Sequence, residues 1–468
     1  MSFVIVLAAL CFLMFVAYRG YSVILFAPIA ALGAVLLTDP SLVAPMFTGL
    51  FMDKMVGFLK LYFPVFLLGA IFGKLIEVSG FSKSIVTATI KLFGPERAIL
   101  SIVAVCALLT YGGVSLFVVV FAVYPFAAEL FRQSEIPKRL IPGTIALGAF
   151  TFTMDALPGT PQIQNIIPTS FFGTNAWAAP WLGGIGGIFI LIVGLSYLEW
   201  RRRVAKRQGE GYGDAATLLN EPAPLAANLK LAHPLIALLP LVLVGVVNKL
   251  LGVWIPEFYG PTHEFIPAVM GKAVPVVQDV PKVAAIWAVL GALLAGIASV
   301  VALAWKPVIA SFAEGSKAAI GGSLLAAMNT ASEYGFGAVI AALPGFLLVA
   351  NALQTIPDPL VHQAITVTSL AGITGSASGG MSIALAAMSE TFIANANAVG
   401  IPMEVLHRVA SMASGGMDTL PHNGAVITLL AVTGLTHRQA YKDIFAITLI
   451  KTAAVFVIIG VFYATGWV

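Results

Sequence analysis

The chain has 468 residues, of which 59% are hydrophobic and only 10% charged, with a mean hydropathy of +0.97. A water-soluble domain carries about a quarter of its residues as charges, so this composition excludes one and predicts an all-α polytopic membrane protein. The net charge of +4 gathers at Arg201, Arg202, Arg203, Lys206 and Arg207, beyond an apolar run, which marks a cytoplasmic loop rather than a nucleic-acid site.

Apolar runs predict spans near residues 2–18, 22–38, 57–78, 97–111, 114–131, 140–153 and 180–199 in the first half. The run Phe3 to Tyr18 lacks a basic leader and a small-residue cleavage site, and another run follows at once, so it reads as a first span. Cys11 and Cys106 lie in apolar runs and offer neither a disulfide framework nor a metal set. The polar stretch 201–230 reads as a linker between an N-terminal membrane repeat, 1–200, and a C-terminal one, 231–468. After it, spans are expected near 233–252, 283–304, 318–333, 336–354, 360–375, 380–399, 404–416 and 444–466. Residues 253–282, rich in proline and poor in basic excess, read as an outside loop. Strand-like alternation is absent.

Two apolar segments are broken, at Asp155 to Phe172 and Asp418 to Leu435. Met154-Asp155-Ala156-Leu157-Pro158-Gly159-Thr160 is echoed by Met417-Asp418-Thr419-Leu420-Pro421-His422-Asn423. Further landmarks in the same order support duplication: Glu129-Leu130-Phe131 with Glu390-Thr391-Phe392, Gly112-Gly113-Val114-Ser115 with Gly379-Gly380-Met381-Ser382, and, more weakly, Glu77 with Glu333. The span list leaves open whether the copies are inverted.

A carboxylate inside a span costs about 2.5–3.5 kcal/mol, so Asp155 and Asp418 need compensation. Three readings stand: a proton carrier, a sodium ligand, or a cap on amides freed by the Leu-Pro step. The Gly- and hydroxyl-rich runs Thr110 to Ser115 and Thr374 to Ser382 let a helix unwind and aim free N–H groups at an anion, or else let helices pack closely. Candidate substrate contacts there are Gly112, Gly113, Ser115, Ser376, Ser378, Gly379, Gly380 and Ser382. His422, Asn423, Thr160 and Asn165 add polar groups at the breaks, with His422 facing Gly159 in the repeat. Glu77 and Glu333 sit at span ends, where snorkelling or capping suffices. No nucleotide-binding loop, zinc spacing or nucleophile elbow occurs, so neither an enzyme nor a cofactor is expected and an ion gradient must supply the energy. No arginine ladder or filter repeat suggests a channel.

On the two DxLP stretches, Met154 to Asn165 and Asp418 to Ala425, the chain resembles the gluconate permease (GntP) family of the ion transporter superfamily. The resemblance implies inverted repeats with re-entrant hairpins, a dimerising scaffold and a transport domain that moves like an elevator. It further implies symport of a small organic-acid anion across the bacterial inner membrane, by a likeness nearer the hydroxybutyrate branch than gluconate. The expected partners are that anion, a coupling proton, the lipid bilayer and a second copy of the chain. A sodium-coupled di- or tricarboxylate carrier is the alternative, but it calls for more cationic contacts than the breaks display; a passive channel is the other.

Overall fold

The computed structural model describes every residue except Met1, Gly20, Ser115, 214–218, 223–230, 267–274, Leu347, 349–354 and His422. Helices dominate because lipid cannot satisfy a backbone amide and each span must bond within itself. In chain order they are α1 (Ser2–Tyr18), α2 (Val23–Thr38), α3 (Met52–Val78), α4 (Phe81–Phe93), α5 (Ala98–Tyr111), α6 (Leu116–Gln133), α7 (Ile141–Ala149), α8 (Ile163–Phe172) and α9 (Pro180–Arg207). The second half supplies α10 (Pro234–Tyr259), α11 (Val280–Leu303), α12 (Trp305–Ala342), α13 (Pro359–Thr374), α14 (Ala377–Ala398), α15 (Met403–Ser414), α16 (Gly424–Thr433) and α17 (His437–Thr465). Among the described residues, five stretches, 40–78 and the helices α9, α10, α11 and α17, are long and apolar enough to cross a membrane.

Several sequence expectations need correction. The span expected at 318–333 and the first part of that expected at 336–354, as far as Ala342, belong to one helix, α12, because nothing between them breaks the backbone ladder; Leu347 and 349–354 of the second lie outside the described residues. The basic cluster 201–207 is no loop: α9 continues through it, with Arg202 held to Glu199 at 2.6 Å and Arg201 to Asp443 at 2.6 Å. Residues 253–282 include the end of α10 and a small antiparallel hairpin, β1 (Thr262–Phe265) with β2 (Val276–Asp279), so strand is not wholly absent. The amphipathic helix α4 had no counterpart among the expected spans.

Packing is duplicated as well as sequence. The helix α3 lies against α12, α2 against α12 as α11 against α3, α1 against α2 as α10 against α11, α5 against α7 as α13 against α15, and α6 against α16 as α14 against α8. Gly375 ends α13 in a left-handed conformation 263 residues after Gly112 ends α5, the same interval as Asp155 to Asp418. The glycine landmark therefore aligns Gly112 with Gly375, whereas Gly379 to Ser382 lie in the first turns of α14.

The copies are inverted. Just before α7, the Lys138 ammonium meets the linker at the Leu219 carbonyl and Glu221, whereas at the start of α15 His407 meets Thr174, just ahead of α9. Similarly, α9 starts where Trp181 packs on Trp467 and reaches Arg201 towards its end, while its counterpart α17 carries Asp443, the partner of Arg201, in its second turn and ends just before Trp467. Corresponding helices thus run in opposite directions between the linker face and the opposite face.

Candidate functional site

The first break lies between α7 and α8, where a single helical turn, Phe152–Asp155, is followed by Pro158 and Gly159. Proline cannot donate a ladder bond, and Gly159 takes φ 82°, so the chain turns sharply. Trp177 packs where a Gly159 side chain would stand. The freed polar groups are caught by side chains: Tyr111 donates to the Pro158 carbonyl at 2.8 Å, and Gln162 donates to those of Thr110 at 2.7 Å and Val114 at 3.2 Å. The turn between α5 and α6 is thereby pinned to the first break.

The second break, between α15 and α16, is held in the corresponding way. Asn423 donates to the Gly375 carbonyl at 2.7 Å, while its side-chain oxygen caps α16 by accepting from the Val426 amide at 2.9 Å. Each hairpin turn therefore touches the broken helix of its own half.

At the centre Asp155 is 2% exposed, and its Oδ1 has no hydrogen-bond partner among the described residues. Its carboxyl lies so close to Gly415 that a Cβ there would overlap Oδ2. A carboxylate of the first half thus presses on the backbone of the second break. Asp418, its repeat counterpart, is differently placed: it is ion-paired with Lys451, which also donates to the Phe150 carbonyl at 3.1 Å.

Arg408, on α15, is fully buried and has no carboxylate salt bridge among the described residues. It donates instead to the carbonyls of Asp155 at 2.9 Å and Ala178 at 2.7 Å, and to Asn165 Oδ1 at 3.1 Å. Ser411 donates to the same Asp155 carbonyl at 2.8 Å. Arg408, Lys451 and Asp418 all act electrostatically on the Asp155 carboxyl. The cluster therefore holds two acids and two bases.

The other expected residues divide by what they already bind. Thr160 donates to Thr153, and Asn165 donates to the Thr160 and Ala176 carbonyls while its oxygen faces Arg408 and His407, so its polar groups are engaged within the protein. Leu241 packs on Gly112, and Gly113 takes φ 97° beside Pro161. Ser376 caps α14 at Gly379, Ser378 meets Thr330 at 3.2 Å, Gly380 packs on the Ala371 backbone, and Ser382 is buried with no partner for its hydroxyl among the described residues. Ser115 and His422 lie outside the described residues. Glu333 is no span end: it is 3% exposed within α12 and faces Gly379. Glu77, by contrast, pairs with Lys74 near the end of α3.

Arg408, His407 and Lys451 were not singled out from sequence. The available signal was a lone cation inside each of the apolar runs 404–416 and 444–466, a costly placement that marks function.

No protein-family model matches the chain. Over 476 aligned residues, covering 100% of both chains, it is 59% identical to the uncharacterized transporter YxjC of Bacillus subtilis (strain 168). The chain belongs to that transporter family. Its fold resembles the crystal structure of the Alcanivorax borkumensis YdaH transporter, whose report describes an unusual topology; the TM-score is 0.50, with 14% identity, over 92% of this chain and 90% of that one. Membership makes this a multi-pass membrane transporter and not an enzyme, and explains why two helices break inside an apolar bundle: transporters of this type place polar backbone where helices are discontinuous.

Proposed function

We propose that the protein imports a small organic-acid monoanion, such as 3-hydroxybutyrate or gluconate, by proton symport, as a member of the gluconate permease family near its hydroxybutyrate branch. The observation that carries this reading is a buried Arg408 that has no acidic partner among the described residues, beside an Asp155 carboxyl with an oxygen unpartnered among them. With Asp155 ionised, the four charges of the cluster sum to zero; with Asp155 protonated they sum to plus one. Only the protonated cluster gains by admitting one negative charge, because an uncompensated charge in a low-dielectric interior is expensive. Proton and monoanion then enter as a neutral pair.

On this reading Asp155 is the coupling group, and Asp418 is its counterpart kept ionised by Lys451. The turns at Gly112, Gly113 and Ser115 and at Ser376, Ser378, Gly379, Gly380 and Ser382 offer amides and hydroxyls to the substrate. Thr160, Asn165, His422 and Asn423 shape its pocket, Asn165 by orienting Arg408. The hairpin-bearing bundle moves against α3 and α12 like an elevator within a homodimer, and the basic linker face is cytoplasmic.

The test is uptake of labelled 3-hydroxybutyrate into proteoliposomes under an inward proton gradient without sodium, with excess unlabelled gluconate in parallel. Uphill uptake resistant to gluconate supports the short-acid reading, whereas suppression moves the substrate to gluconate. Uptake that appears only with sodium would overturn proton symport.

A further inference from the structure

Glu333 stands apart from the cluster just described. It lies in α12, which packs on α3 and α2, and its carboxyl points across to the first turn of α14, at the tip of the α13–α14 hairpin. The approach is so close that only glycine fits at position 379, since a Cβ there would coincide with Glu333 Oε2. Ser376, the cap of α14, lies beside the carboxyl, Oε2 has no hydrogen-bond partner among the described residues, and Glu333 is 3% exposed.

No charged side chain among the described residues compensates it. Charged or titratable side chains on the surrounding helices are Glu390, three turns along, on α14; His362, edge-on to Phe392, on α13; the exposed Asp53, Lys54 and Lys60 on α3; the exposed Lys306, Glu314 and Lys317 on α12 itself; and none on α2. On α3, Tyr62 donates to Ile167 and Ser170, and Lys74 pairs with Glu77; Tyr334, beside Glu333 on α12, packs on Phe58 and Phe171. What remains to hold the ionised form is the positive end of α14. That same positive end disfavours a metal cation, so a proton is the neutralising partner that fits.

We propose that Glu333 is a second proton-binding site of this transporter: its carboxylate is the resident anion at the N-terminus of α14, docking the hairpin tip on α12, and proton uptake releases the dock. The hairpin tip also carries Gly375, which Asn423 grips from the second break, so releasing it loosens the substrate side of that break. The proposal rests on the transporter reading for its purpose but not on any substrate.

Its test therefore uses the full-length protein in lipid without substrate: amide hydrogen exchange over 374–385, expressed as protection factors between acid and alkaline pH. Wild type is expected to lose protection about tenfold on acidification, the size of a favourable helix-end interaction, and Asp155→Asn to do the same. Glu333→Gln should show low protection at every pH, and Ser376→Ala should keep a pH response with a displaced midpoint. A wild-type pH response retained in Glu333→Gln, or absent from wild type, would overturn the proposal. If Glu333→Gln fails to fold, Ser376→Ala decides: an undisplaced midpoint counts against it. Failure of organic-acid uptake would sink the substrate reading and leave this result standing.

Discussion

Arg408 donates to the backbone carbonyl of Asp155 at 2.9 Å, so a cation from α15 of the second half is tied to the broken helix of the first. The same guanidinium reaches Ala178, just before α9, which makes it a staple across three segments as well as a charge.

Replacing Asp155 with Asn removes the titratable group while keeping its shape. The variant fixes the cluster at plus one, so it should unfold more easily than wild type and show no uphill uptake in a proton gradient. Flux measured with and without the gradient checks this; gradient-driven accumulation by the variant would remove Asp155 from the coupling role.

Arg408→Gln should both unfold more easily and lose anion affinity. The Ala178 carbonyl, buried and left without its side-chain donor, costs about 1–3 kcal/mol, while the Asp155 carbonyl keeps Ser411. Arg408→Lys keeps the charge without the planar fork, and should retain part of the affinity while losing much of the stability. Thermal unfolding and anion binding, measured on both variants, separate the two roles.

The buried pair of Lys451 and Asp418 should behave as a unit. Lys451→Met alone or Asp418→Asn alone leaves an uncompensated charge and should cost about 3–5 kcal/mol. The double variant should recover most of that loss, and a double-mutant cycle by denaturant unfolding measures the coupling. Additive single effects would show that the pair is not what holds α17 to the second break.

Acid should loosen the linker face at a defined pH. The guanidinium of Arg139 holds the Glu210 carboxyl below its ordinary range; burial pushes Glu221 up, but hydrogen bonds from Lys138 and Arg132 leave it lowered too. Groups lowered in the folded state stabilise it above the ordinary carboxylate value, about 4.3, and lose that contribution as pH falls through the lowered value. A spin label at Gly209 should therefore stay immobile from neutral pH down to about 4.3 and become mobile only below it. Glu221→Gln should leave the label more mobile already at neutral pH.

Much of this architecture was legible because membranes restrict the menu. Apolar runs located α1, α2, α5, α6 and α10, and proline after an acid located both breaks. The interval from Asp155 to Asp418 revealed the repeat. What stayed hidden was three-dimensional: α12 joined two expected spans, and inversion emerged only when the linker contacts of Lys138 and the opposite-face contacts of His407 were compared. The site shows the same division. Asp155 and Asn423 stood out as polar residues at breaks, whereas Arg408 and Lys451 lay within runs read for apolarity, and their convergence on Asp155 depends on α15 and α17 crossing it.

The central claim is that one proton on Asp155 admits one monoanion. Proton entry and labelled anion entry measured together in liposomes clamped at zero potential test it most directly. Equal fluxes in wild type, with both lost in Asp155→Asn, are the predicted result. Anion entry without proton entry, or coupled entry that survives Asp155→Asn, would contradict it.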